Sequence, residues 1–134
     1  MNIVEKGANI GQGTKLGYFT HVLSGANIGV SCTIGDNVTI GHDVVIGDGV
    51  TIGNGVSFGG TEARSQLTKR DGPKRTVVED GVVIGSNVTV VGNTTIKRGS
   101  RVGDGSVVIG YVFQHTFVAG NPARRIYSLS CLPV

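Results

Sequence analysis

From Ile10 onward an aliphatic residue returns every six positions: Ile10, Leu16, Val22, Ile28, Ile34, Ile40, Ile46 and Ile52, with Phe58 closing the run in phase. Two places before each stands a second small residue: Ala8, Thr14, Thr20, Ala26, Cys32, Val38, Val44, Val50 and Val56. Polar pairs separate them, among them Asp36-Asn37, Asp48-Gly49 and Asn54-Gly55. No amphipathic helix has this period, and a hairpin sheet has no reason to hold it without slippage. Residues two apart on a strand share a face, so both apolar sets point inward. Asp, Asn and Gly tolerate positive φ or bond their own backbone, which a sharp corner needs. The pattern therefore predicts short strands with a corner every six residues, three hexads to a coil, stacked as a triangular prism.

The ladder stops after Phe58. Residues 59–76 hold no hexad signal, and the pattern restarts two residues out of phase at Val78, running through Ile84, Val90, Ile96, Val102 and Val108. The inner partners are now Thr76, Val82, Val88, Thr94, Ser100 and Ser106. A clean restart makes 59–76 a loop thrown out from the prism, and a loop that long is usually functional or disordered. The 15 hexads make about five coils, a prism about 24 Å long at the spacing of paired strands. After Gly110 the period fails, and the aromatic, turn-forming residues 111–134 read as a cap over the last coil's open backbone groups. The expectation is one all-β domain, 1–134, a parallel β-helix with one protruding loop and a short C-terminal cap.

Composition adds little to this and removes some alternatives. The 23 glycines are locked to the period rather than scattered, and 134 residues leave room for one domain. Net charge is only +3, but Arg64, Lys69, Arg70, Lys74 and Arg75 crowd the loop. A basic loop on a near-neutral body suits a phosphate-bearing small molecule, whereas nucleic acid calls for a broad basic face with aromatics. Cys32 reads as a small core residue, Cys131 lies in the tail, and nothing indicates a disulfide framework. The opening Met-Asn-Ile-Val-Glu-Lys lacks a signal peptide's apolar run, and no stretch reaches membrane-spanning length, so a cytoplasmic location is expected.

The hexads resemble the left-handed parallel β-helix acyltransferases, which use acyl-coenzyme A. The handedness is what this resemblance implies; the general rule for parallel crossovers gives the opposite hand. Three stretches extend the match: the loop followed by Val82-Val-Ile-Gly-Ser-Asn-Val-Thr-Val90, the closing Phe117-Val-Ala-Gly-Asn-Pro-Ala-Arg-Arg-Ile126, and Tyr18-Phe-Thr-His-Val22. Of these, Tyr18–Val22, the loop and the restart together look like the nucleotide-linked amino-sugar N-acetyltransferases, while Phe117–Ile126 looks like the terminal segment of the wider acyltransferase family. In a branch that acetylates 4-amino sugars, an aliphatic-x-His-acid-x-x-Ile-Gly motif carries the base, and Ile40-Gly-His-Asp-Val-Val-Ile-Gly47 matches it with His42 in that place. Departures exist: the loop has no histidine, unlike that of the sugar O-acetyltransferases, and that branch's amino-terminal nucleotide-binding domain is missing from this sequence.

What the resemblance implies is an acetyl-coenzyme A-dependent N-acetyltransferase acting on a sugar nucleotide, without a metal, its sites between subunits of a homotrimer. An amine must be neutral to attack a thioester, and a histidine near its intrinsic pKa can take the proton. His42 is expected at a corner and His21 on an outer face as substrate contact or alternative base, with Asp43 and Asn54 near the acceptor. Arg64 and Arg75 of the loop are expected at phosphate or acceptor. Gly103, Ser106 and Gly110 are candidate coenzyme A-lining residues, with Lys97, Arg98, Arg124 and Arg125 for its phosphates. Alternatives are an O-acetyltransferase and a non-catalytic β-helix scaffold. A zinc site like the carbonic anhydrase of this fold fits poorly, because His21 and His42 are 21 residues apart, three off the 18-residue coil, and His115 lies in the cap.

Overall fold

In a computed structural model, which describes residues 2–59 and 75–129, the hexads form short parallel strands and no helix. They stack into three sheets, the faces of a left-handed β-helix of six coils. Face one holds β1 (Ile3–Val4), β4 (His21–Val22), β7 (Thr39–Ile40), β10 (Ser57–Phe58), β13 (Thr89–Val90) and β16 (Val107–Val108). Face two holds β2 (Asn9–Ile10), β5 (Asn27–Ile28), β8 (Val45–Ile46), β11 (Val77–Val78), β14 (Thr95–Ile96) and β17 (Tyr111–Val112). Face three runs through β3 (Lys15–Leu16), β6 (Thr33–Ile34), β9 (Thr51–Ile52), β12 (Val83–Ile84), β15 (Arg101–Val102) and β18 (Thr116–Gly120). It ends on β19 (Ala123–Ser128), which turns back antiparallel along β18.

Both inward sets are where the periodicity places them. From Val22 to Val118 the inward aliphatics, Cys32 and Phe58 are buried in one continuous core. The inward hydroxyls are buried too, and each finds a carbonyl: Thr20 to Gly35 at 3.0 Å, Ser100 to Phe113 at 2.7 Å, Ser106 to Gly103 at 2.7 Å. The corners carry the expected left-handed residues, with φ of 57° at Asn37, 66° at Gly49 and 72° at Gly55. Asp36, Asp48 and Asn54 do something other than close their own turns. Each side chain reaches one coil toward the amino terminus and accepts a backbone N–H, of Tyr18 (2.8 Å), Val30 (2.9 Å) and Asp36 (2.8 Å) respectively.

The ladder is also one coil longer than about five, by three strands: β1, whose Val4 stands six residues before Ile10, and two strands after β16. Ile109 and Gly110 make a shortened corner, with Gly110 at φ 91°, after which Val112 and Val118 resume the inward positions. The phase shift of two residues hides this in the sequence. Residues 111–120, expected in the cap, thus complete the last coil begun by β16, and among the described residues β19 alone covers it. The loop proper and the Cys131 tail lie outside the described residues. What is described is the loop's root: the chain leaves face one at Gly59 and rejoins at Thr76, whose hydroxyl donates to the Gly59 carbonyl at 2.8 Å.

Candidate functional site

The corner between faces one and two is unlike the other two. It passes through Ser24 and Gly25 in the second coil and His42 and Asp43 in the third, and the fourth-coil corner is where the long loop departs and returns. His42 is exposed, one coil below the loop's root. Its Nδ1 lies 3.0 Å from the Ser24 hydroxyl and 3.3 Å from the Ser24 carbonyl. A carbonyl oxygen can only accept, so a bare Nδ1 would face its lone pairs. The arrangement therefore favours the proton on Nδ1, leaving the Nε2 lone pair to act as a base.

Two residues without a motif complete the cluster. Glu5, entering from the first coil, accepts the Ser24 N–H through Oε1 at 2.9 Å. Its other oxygen stands 3.5 Å from Nε2 of His21. That nitrogen is covered although the ring is half-exposed, and among the described residues it makes no hydrogen bond; 3.5 Å is too loose for one. His21, Glu5, Ser24 and His42 thus form one connected set around a single corner. The register offers a faint signal for Ser24, which stands 18 residues, one full coil, before His42. Nothing in the pattern marks Glu5.

The remaining candidates are spread around the prism. Asp43 has left-handed backbone (φ 61°), and its carboxylate lies against Gly25; no hydrogen bond joins it to His42. Asn54 is on the corner between faces three and one, its carbonyl oxygen engaged by the Asp36 N–H, so within one protomer it does not meet His42. Arg75 is exposed where the loop returns; Arg64 lies outside the described residues. Gly103 faces Ala119, which pairs with Arg124 across β18 and β19, so Gly103 and Arg124 share a corner. Ser106 points inward and is buried, its hydroxyl held by Gly103 and Gly120, so its side chain cannot line an outer groove. Gly110 tops the histidine corner, in the last coil. Arg125 borders a cavity of about 220 Å³ at the end of the prism, with Tyr111 and Phe113.

Lys97 and Arg98 stand on the corner between faces two and three. Lys97 pairs with Glu79 at 3.0 Å, and Glu79 also accepts the Arg98 N–H at 3.0 Å. The Lys97 hydrogen bond holds the Glu79 carboxyl below the usual range, partial burial pushes back, and the Arg98 N–H lowers it further. Glu79 in turn raises Lys97. His115 sits on the same corner, its imidazole over Gly99. Among the described residues no helix is long and apolar enough to cross a membrane.

Comparison with known proteins fits this architecture. Residues 25–60 match the family model for the bacterial transferase hexapeptide (six repeats). A hexapeptide-repeat-containing acetyltransferase of Vibrio cholerae, solved in complex with acetyl-coenzyme A, is 31% identical. The match covers 92% of this chain and 71% of that one, with a TM-score of 0.76. The chain belongs to the hexapeptide-repeat acetyltransferases. WeeI of Acinetobacter baumannii is 29% identical over 93% of this chain and 54% of its own, with a TM-score of 0.78. The serine acetyltransferases of Salmonella typhimurium and Escherichia coli K12 are 40% identical over 58 residues, 43% of this hexapeptide-repeat chain. The chain spans about a fifth (21%) of the length of these curated relatives.

Proposed function

We propose that this hexapeptide-repeat protein transfers an acetyl group from acetyl-coenzyme A to the amine of an amino sugar carried on a nucleotide. Family membership and the likeness to an acetyltransferase bound to acetyl-coenzyme A support the donor. The amino-sugar acceptor rests on the resemblance of Ile40-Gly-His-Asp-Val-Val-Ile-Gly47, and of Tyr18–Val22 with the loop and the restart after it, to the amino-sugar N-acetyltransferases. The observation that carries the reading is His42: its Nδ1 is engaged by Ser24, its Nε2 makes no hydrogen bond among the described residues, and it stands beside the root of a loop with five cations.

The chemistry follows from those groups. The acceptor arrives neutral or loses its proton to solvent, and its lone pair attacks the thioester carbonyl carbon. As the C–N bond forms, His42 Nε2 takes the amine's remaining excess proton, and the negative charge on the carbonyl oxygen calls for an N–H donor. Collapse breaks the C–S bond, and the imidazolium returns its proton to the leaving thiolate. Gly103 with Arg124, Gly110 and Arg125 are the remaining coenzyme A candidates; Lys97, already paired with Glu79, is a weaker one. A single prism offers faces and corners rather than a deep cleft, so a homotrimer with sites at the seams suits the exposed histidine corner. Single-domain organisation and a cytoplasmic location complete the proposal.

The test is thiol release from acetyl-coenzyme A against a panel of free and nucleotide-linked amino sugars and hydroxyl-bearing analogues. Turnover with nucleotide-linked amines is expected. Turnover confined to hydroxyl acceptors would transfer the reading to O-acetylation, and failure to bind coenzyme A at millimolar concentration would leave a scaffold. Light scattering of the same preparation should return three times the chain mass.

A further inference from the structure

We infer that Glu5 is a positioning residue for His42, acting through Ser24, which makes the first coil of the prism part of the active corner. This rests on the reading of His42 as the base. At the neighbouring corner, between faces two and three, the carbonyl in the equivalent place accepts one backbone bond from the coil above, as Gln12 does from Ser31 (3.0 Å) and Val30 from Gly49 (3.0 Å). The Ser24 carbonyl serves two groups, the Asp43 N–H at 3.3 Å and His42 Nδ1 at 3.3 Å. Both contacts are long, and the shorter contact of the imidazole, 3.0 Å to the Ser24 hydroxyl, hangs on the same residue, so the placement of Ser24 decides how Nδ1 is held. Glu5 fixes it from the other side of the same residue, by gripping the Ser24 N–H at 2.9 Å.

An internal comparison separates this clamp from ordinary corner closure. Glu79 makes the same contact 19 residues along, accepting the Arg98 N–H at 3.0 Å, and there the second oxygen is neutralised by Lys97 at 3.0 Å. In the Glu5 clamp the second oxygen faces instead the covered, unbonded Nε2 of His21. One carboxylate therefore touches the residue that orients one imidazole and stands against another. Partners that orient a metal-binding imidazole typically change activity by about 10- to 100-fold when removed, and the same scale is expected for this imidazole.

The test reads the His42 tautomer directly, by proton-coupled ¹⁵N NMR of the imidazole without substrate. Wild-type protein is expected to hold the Nδ1–H form. Glu5→Ala should shift His42 toward the Nε2–H form and lower kcat by about 10- to 100-fold, with KM for acetyl-coenzyme A unchanged. Glu5→Gln, which keeps the accepting oxygen, should restore both, and Glu79→Ala should leave the His42 tautomer as in wild type. If Glu5→Ala does not fold, Glu5→Asp, one methylene too short to reach Ser24, carries the same expectation. A wild-type tautomer in the Ala or Asp variant, or a Gln variant as damaged as Ala, overturns the positioning role. Absence of thiol release by wild-type protein would instead overturn the acyl-transfer reading, because the tautomer is measured without any acceptor.

Discussion

His42 and Asp43 are neighbours in sequence and point to different tasks. In the left-handed backbone of Asp43 the carboxylate falls over Gly25, and the imidazole beside it is held by Ser24. Asp43→Asn is therefore expected to lower kcat far less than His42→Ala in the same steady-state assay. His42 was legible because a motif carries it. Ser24 and Glu5 were not, because their roles arise from carbonyl and amide directions that only the stacking of coils defines. Glu79 and Lys97 permit a pH test at this scale. A carboxyl held below its ordinary value contributes stability that is fully present above the ordinary glutamate range and is lost as pH falls through the depressed folded value. Thermal melts of Glu79→Gln should show a small deficit at pH 7 that vanishes in acid. A deficit that persists when the carboxyl is protonated would contradict the assigned cause.

At the scale of the repeat, two kinds of glycine are needed for two reasons. Gly49 and Gly55 occupy left-handed corners, as the sequence predicts, and Asn does the same at 37. The glycine that follows most of the inward aliphatics, Gly53 among them, has no such φ; it is there because coils stack closely. A Cβ on Gly53 would stand 2.8 Å from backbone atoms of Gly85 and Ser86. Gly53→Ala should destabilise by about 1–3 kcal/mol through overpacking, while Gly49→Asn, in open space, should be nearly neutral by chemical denaturation. The corner acids were read as turn formers, and their reach into the adjacent coil was missed because one hexad seen alone gives no hint of its neighbour. Asp48→Ala should cost about 1 kcal/mol, from the Val30 N–H it leaves unpaired.

For the whole molecule, periodicity fixed three faces, the phase break and the inward rows before any coordinates, since a period of six admits few alternatives. It undercounted the coils because the last corner is two residues short and because Ile3–Val4, ahead of the first hexad counted, also pairs as a strand. It could not gather coenzyme A contacts either: Ser106 has the right type but faces inward. Ile52, fully surrounded in the middle of the core, should lose about 2–5 kcal/mol as Ile52→Ala in a urea titration. Whether the histidine corner performs acyl transfer is decided by one comparison. Acetyl-coenzyme A thiol release should be followed at saturating nucleotide-linked amino sugar for wild-type protein and for His42→Ala of matched fold and oligomeric state. The expected result is a loss of kcat of about 10²- to 10⁴-fold, the usual worth of a positioned general base. Turnover by His42→Ala at the wild-type rate would contradict the claim.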